Sequence, residues 1–132
     1  MITLGHVNIR TTRLDETCAF YEKILGFRRV TAATNPDPSR NLWLADAAGN
    51  PSVHVNVFRP GESVVAGGGT CLDHIAFNCP DRGAMAAVLE REGIAYTEIE
   101  TRVPGLVQFN LHDPNGVRVE LTFGHELVRL AD

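Results

Sequence analysis

The sequence predicts an α+β protein of two βαβββ modules with curved sheets, and three observations carry that reading. First, residues 4–10 (Leu-Gly-His-Val-Asn-Ile-Arg) and 72–78 (Leu-Asp-His-Ile-Ala-Phe-Asn) are two versions of one phrase, each with a His two residues after Leu and an alternating tail. Second, each phrase leads into a helical stretch that stops at a glycine, 20 residues after His6 at Gly26 and 19 residues after His74 at Gly93. Third, each helical stretch is followed by three short runs of strand-like alternation separated by turn formers. Agreement over a whole half-chain marks an internal repeat. The expected organisation is a single domain over 1–132, with repeats at 1–58 and 71–124 and a linker at 59–70.

In the first module, the alternation over 4–10 reads as a strand. Leu14, Cys18, Tyr21 and Leu25 fall on one face of a helix, which predicts Leu14–Leu25 as helical, with Thr12 as its cap and Gly26 as its stop. Runs at 27–34, 41–45 and 52–58 follow as strands, divided by Asn-Pro-Asp-Pro-Ser at 35–39 and Asp-Ala-Ala-Gly-Asn-Pro at 46–51. In the second module, the strand-like run at 72–78 precedes a helix capped by Asp81. Met85, Val88, Leu89 and Glu92 form its stripe, and Gly93 ends it. Runs at 94–101, 106–112 and 117–123 complete the module, the last two split by the turn signal Asp113-Pro114-Asn115-Gly116. The glycines at 67–69 are followed by no G-K-[ST] and read as a flexible connection, not a phosphate loop. The stretch 31–40, with two prolines, reads as a lid or a surface loop.

Composition sets the bounds on function. A chain of 132 residues, 44% apolar and 21% charged, reads as soluble, globular and able to bury one core. No apolar run approaches the ~18–20 residues of a membrane span, so no membrane partner is expected. No basic segment followed by a long apolar stretch opens the chain, so no secretory signal is expected. A formal net charge of −4, with no Lys/Arg cluster beyond Arg28-Arg29, argues against nucleic acid, whose phosphates attract a basic face. Cys18, Cys71 and Cys79 are odd in number and form no C-x-x-C pair, the pattern of reduced thiols in a cytoplasmic protein.

Strand parity then selects candidate chemistry. Successive side chains point to opposite faces, so Val7 and Ile9 oppose His6 and Asn8, and Ile75 and Phe77 oppose His74 and Ala76. Likewise Val53, Val55 and Val57 oppose His54 and Asn56, while Val119 and Leu121 oppose Arg118, Glu120 and Thr122. The apolar sets would pack beneath the helices and the polar sets would face the open side. His54 follows His6 by 48 residues and Glu120 follows His74 by 46, so each repeat carries one donor on its first strand and one on its fourth. Three imidazoles and one carboxylate suit one divalent metal per site: Zn²⁺, Ni²⁺, Co²⁺, Fe²⁺ or Mn²⁺. A carboxylate within an apolar strand such as that of Glu120 is costly unless a cation meets it. Asn8, Trp43, Asn56, Gln108 and Asn110 share the ligand parity and are candidate substrate-binding residues, with Trp43 either an aromatic wall or a core or dimer contact. His112 sits beside the Asp-Pro turn and reads as a surface residue. His125 lies past the last strand, and His125-Glu126 is not a zincin motif because position 129 is Arg.

Five segments, Gly5-His6-Val7, Phe20-Tyr21-x-x-Ile24-Leu25-Gly26-Phe27, Asp73-His74-Ile75-Ala76-Phe77, Asp113-Pro114-x-Gly116 and Val119-Glu120-Leu121, together resemble the vicinal oxygen chelate superfamily over nearly the whole chain. That group includes glyoxalase I, fosfomycin and bleomycin resistance proteins, methylmalonyl-CoA epimerase and extradiol dioxygenases. The resemblance implies the glyoxalase/bleomycin resistance/dioxygenase-like cup, one divalent metal, and a substrate bound through two neighbouring oxygens. It implies His6, His74 and Glu120 as metal ligands and a homodimer as the assembly. In the glyoxalase I branch the residue matching His54 is usually a Glu that serves as ligand and base. His54 departs from that pattern, which leaves the bound ion with net positive charge and removes a carboxylate base. In the extradiol branch two His and one Glu hold iron while a further His moves protons, a description that His6, His74, Glu120 and His54 also satisfy.

The leading expectation is therefore a divalent-metal-dependent enzyme on a small vicinally oxygenated substrate: a lyase, an isomerase or a ring-cleaving dioxygenase. His54 and Glu120 are the candidate catalytic residues, and His6, His54, His74 and Glu120 the candidate metal ligands, with His54 either a ligand or a nearby base. A shared site could arise within one chain or between two. The alternative is a metal-free sequestration protein of the bleomycin-resistance type, which predicts apolar or unpaired residues where all four positions carry donors. Fosfomycin-type thiol transfer ranks lower, because no basic cluster lies near the last strand.

Overall fold

The structure is a computed structural model that describes residues 1, 3–31, 37–63 and 71–127. The chain divides into two compact units, Met1–Ala66 and Gly67–Asp132. Of the expected linker, residues 64–70 lie outside the described residues, as do residues 32–36 of the expected lid.

The first unit runs β1 (Val7–Thr11), α1 (Leu14–Leu25), β2 (Arg28–Val30), β3 (Asn41–Ala45) and β4 (Pro51–Val57). Its sheet has the order β1-β4-β3-β2, with β1 parallel to β4 and the other pairs antiparallel. The second unit runs β5 (Ile75–Cys79), α2 (Arg82–Arg91), β6 (Thr97–Glu100), β7 (Val107–His112) and β8 (Arg118–Phe123), in the equivalent order β5-β8-β7-β6. A 3₁₀ turn, His125–Leu127, follows. Each unit is thus a βαβββ module, and the α+β class read from the sequence is the class observed.

The alternation of valines on β4 explains the first core. Val53 and Val55 are buried beside Ile9, Leu42 and Leu44, and α1 lies across β2, β3 and β4 with Cys18, Tyr21 and Ile24 buried. The helix occupies the predicted residues, but Thr12 does not cap it. Arg13 is the N-cap and makes no side-chain cap bond. The buried Thr11 hydroxyl accepts from the Arg13 N–H at 2.8 Å instead, and Thr17 Oγ1 donates to the Arg13 carbonyl at 2.7 Å. The chain leaves the sheet at Thr11, so the hydroxyl already under the helix takes the bond, while Thr12 faces solvent. At the other end Gly26 adopts φ 67° and returns its N–H to the Glu22 carbonyl.

The second core is built by Val107, Phe109, Leu111, Val119, Leu121 and Phe123, which alternate along β7 and β8. Here α2 buries only Leu89, so the expected stripe is narrower than its periodicity suggested. Gly93 ends it at φ 66°, where the Ile94 N–H reaches the Leu89 carbonyl at 2.9 Å. That closing bond shortens the expected 94–101 strand to Thr97–Glu100; β2 covers Arg28–Val30 of its expected 27–34 run, of which residues 32–34 lie outside the described residues. Asp81 Oδ1 accepts from the Ala84 N–H at 2.9 Å, as a helix cap should. An Asp81→Ala change is expected to destabilise the protein by about 1 kcal/mol, read as a lower urea midpoint at unchanged slope.

The three thiols are free, with Cys18 and Cys79 buried and Cys71 exposed. Burial pushes the Cys18 and Cys79 thiols up to about 11, so both stay protonated at neutral pH. An alkylating reagent at pH 8 is therefore expected to modify Cys71 rapidly, and the other two only as pH approaches 11 or on unfolding. Mass spectrometry showing two or three rapid additions to the native protein at pH 8 would contradict this.

Candidate functional site

In both sheets the strand pleat sorts polar from apolar residues, and register then aligns the polar ones in rows. In the first unit Asn8, His54 and Trp43 are register partners across β1, β4 and β3, and the next row is Arg10, Asn56 and Asn41. In the second unit the matching rows are Ala76, Glu120 and Asn110, then Asn78, Thr122 and Gln108. The repeat therefore equates His54 with Glu120, Trp43 with Asn110, and Asn41 with Gln108. His6 and His74 each stand one residue before their strand, because the parallel pairing begins at Val7 with Val53 and at Ile75 with Val119.

The first unit gathers three of the expected residues. The His54 ring stacks on Trp43 with centroids 4.2 Å apart and planes 2° from parallel. His6 meets Trp43 edge-on at 4.5 Å and lies 6.0 Å from His54, centroid to centroid. His54 Nε2 also contacts the Oδ1 of Asn41, a buried residue. Burial, and secondarily the charge of His6, pushes the His54 imidazole below its ordinary range, which favours the neutral ring that can bind a metal or accept a proton. Asn8 turns its side chain back to the His54 carbonyl at 3.3 Å.

The second unit brings His74 and Glu120 together, with His74 Nε2 3.7 Å from Glu120 Oε2. The other nitrogen, Nδ1, donates to Asp73 Oδ2 at 2.7 Å, which fixes the ring with Nε2 toward Glu120. Arg118 Nη1 joins the same Asp73 oxygen at 3.1 Å, and the His74 bond, then the Arg118 charge, hold the Asp73 carboxyl below the usual range. Glu120 is 9% exposed, and its Oε1 accepts from Gln108 Nε2 at 2.8 Å and Thr122 Oγ1 at 3.1 Å. Gln108, expected to meet substrate, thus directs its donor at Glu120. Asn110 Oδ1 accepts from Arg118, and its Nδ2 is buried without a hydrogen-bond partner, as is Asn56 Oδ1. No group of three His, Cys, Asp or Glu side chains able to hold a metal occurs among the described residues.

Residues 3–121 match the family described as the Glyoxalase/Bleomycin resistance protein/Dioxygenase superfamily. The chain belongs to that superfamily. Members of the glyoxalase superfamily typically use a divalent metal and bind small-molecule substrates. The chain is 25% identical over 127 residues to "Glyoxylase I 4" of Arabidopsis thaliana, covering 92% of itself and 70% of that protein. Among solved structures it resembles a glyoxalase/dioxygenase from Nostoc punctiforme at TM-score 0.71 and 18% identity, over 92% of this chain and 90% of the other. It also resembles a fosfomycin resistance protein from Listeria monocytogenes at TM-score 0.69 and 19% identity, over 94% and 95%. The structural likenesses establish the glyoxalase-type fold.

Three residues of this superfamily member were not singled out from its sequence. Asp73 was quoted only within a motif, although an acid next to a candidate ligand is a cue. Arg118 shares the face of Glu120 and lies two residues before it, a signal that no neighbouring basic residue reinforces. Asn41 has the parity of Trp43, but a polar residue opening a strand reads as a turn remnant.

Proposed function

We propose that the protein is a divalent-metal-dependent enzyme acting on a small vicinally oxygenated molecule, as a lyase, isomerase or ring-cleaving dioxygenase. The observation that carries this reading is the His74–Glu120 pair, an imidazole whose ring Asp73 fixes with Nε2 toward a carboxylate 3.7 Å away inside a strand. An imidazole pair and an imidazole–carboxylate pair, one in each unit, fit the donor chemistry of Fe²⁺, Ni²⁺, Zn²⁺, Co²⁺ or Mn²⁺. His6 and His54 of the first unit and His74 and Glu120 of the second are the proposed ligands. When bound, the ion would polarise a substrate oxygen and stabilise negative charge developing there.

The protein's own groups account for the rest. His54, whose burial favours the neutral ring, serves either as a ligand or, standing beside the ion, as the base that takes a proton from the substrate and returns it. Asn56 and Asn110 share the polar faces of His54 and Glu120 and are the proposed substrate contacts. Trp43, stacked on His54, holds the imidazole plane and contributes an aromatic wall.

Elemental analysis of protein purified without chelator tests the reading, followed by activity screens with each metal added. Bound metal in the native protein that is lost in His74→Ala supports it, and oxygen uptake with catechols separates a dioxygenase from an isomerase or lyase. Protein that binds none of these metals but retains a planar drug would replace the proposal with sequestration of the bleomycin-resistance kind.

A further inference from the structure

The two repeat-equivalent amides, Asn41 and Gln108, make the same diagonal contact. Each sits on the third strand of its unit and reaches past its own register partner, Asn56 or Thr122, to the residue two positions earlier on the fourth strand. Gln108 reaches Glu120, and Asn41 reaches His54. The polarity of each contact suits its target. Glu120 is an acceptor and receives the Gln108 Nε2–H. His54 is met by the Asn41 carbonyl oxygen, which can only accept.

We propose that Asn41 is a positioning residue: it accepts from His54 Nε2–H and so leaves Nδ1 as the lone pair His54 uses at the site. This rests on the proposed role of His54 as ligand or base. It gives the two histidines opposite working nitrogens. His74 donates from Nδ1 to Asp73 and presents Nε2; His54 donates from Nε2 to Asn41 and presents Nδ1. The stack on Trp43 fixes the plane of the His54 ring, and the Asn41 contact fixes which edge faces the amide. Burial of Asn41, at 1% exposed, keeps water from competing for that edge.

Long-range ¹H–¹⁵N NMR on metal-free protein at pH 8 reads the tautomer directly. The expected result is a resolved, slowly exchanging His54 Nε2–H with Nδ1 unprotonated. Asn41→Asp, which keeps an acceptor, retains that proton signal, and Asn41→Leu loses it to solvent exchange while the His74 signals stay in place. A His54 protonated at Nδ1 in the native protein overturns the proposal without any variant. So does an Nε2–H that exchanges as slowly in Asn41→Leu as in the parent. In Ni²⁺ titrations followed by calorimetry, Asn41→Leu weakens affinity by about 10-fold or more and Asn41→Asp restores most of it. A native protein that takes up no divalent ion defeats the proposed function, and the tautomer measurement still decides the role of Asn41.

Discussion

Glu120→Gln is expected to weaken divalent-ion affinity by about 100-fold or more and to leave the metal-free protein as stable as its parent, or more stable by up to about 1 kcal/mol. The two halves of this result come from one cause. Glu120 is 9% exposed in a strand whose neighbours Val119 and Leu121 are fully buried, and among the described residues no side chain that is always cationic pairs with it. A carboxylate in such a place gives up hydration without a full counter-charge, which is tolerated where a bound cation completes the arrangement. Gln has nearly the same volume and keeps a carbonyl oxygen. The bonds from Gln108 Nε2 and Thr122 Oγ1 to Oε1 therefore survive the change. Only the negative charge and one acceptor oxygen are lost. A purely structural Glu120 would give the opposite signature, a loss of stability with no change in metal uptake. Calorimetric metal titration and urea denaturation in chelator, run on the same two proteins, separate the outcomes. Equal metal affinity in both would remove Glu120 from the proposed ligand set.

How much of this was legible in the sequence depends on the length scale of the signal. The repeat of His6 in His74, the α1 span and the DPNG turn at 113–116 are local or periodic, and the observed elements agree with them because backbone preference and side-chain pattern point the same way there. Parity also put His54 and Glu120 on the polar faces of β4 and β8. What parity cannot give is the diagonal: a period of two assigns a face, and the choice between a register partner and the next row depends on side-chain length and strand twist. Gln108 was accordingly placed beside substrate, whereas its amide reaches Glu120. The Thr12 cap was misread for a similar reason. Sequence marks a capping hydroxyl at the helix start, but where the chain leaves the sheet decides which of Thr11 and Thr12 lies beneath the helix. Asp73 and Arg118 meet at one oxygen across 45 residues of sequence, a separation at which no local pattern operates.

Phe109→Ala is expected to cost about 3–5 kcal/mol of stability, the largest loss predicted for a single side chain here. The Phe109 ring is 0% exposed and lies between Tyr96, with centroids 4.5 Å apart, and Phe123, at 4.8 Å. Its register partner is Leu121, also fully buried, so the ring sits at the middle of the second unit's core. With α2 burying only Leu89, that unit has little helical packing with which to close a cavity, and the surrounding strands are held by their ladders. The loss should therefore fall at the upper part of the usual range. The consequence for the site follows from the pleat. Phe109 lies between Gln108 and Asn110 on β7 but points to the opposite face, so it touches neither Glu120 nor His74. The variant should bind metal more weakly through a loosened β7–β8 pair, and a saturating divalent ion should recover part of the lost stability by mass action. Ile99 on β6, 41% exposed, supplies the contrast: Ile99→Ala is expected to stay within about 0.5 kcal/mol of the parent. Urea denaturation followed by circular dichroism measures both. A Phe109→Ala loss below about 1 kcal/mol would mean that the ring is not central to the core.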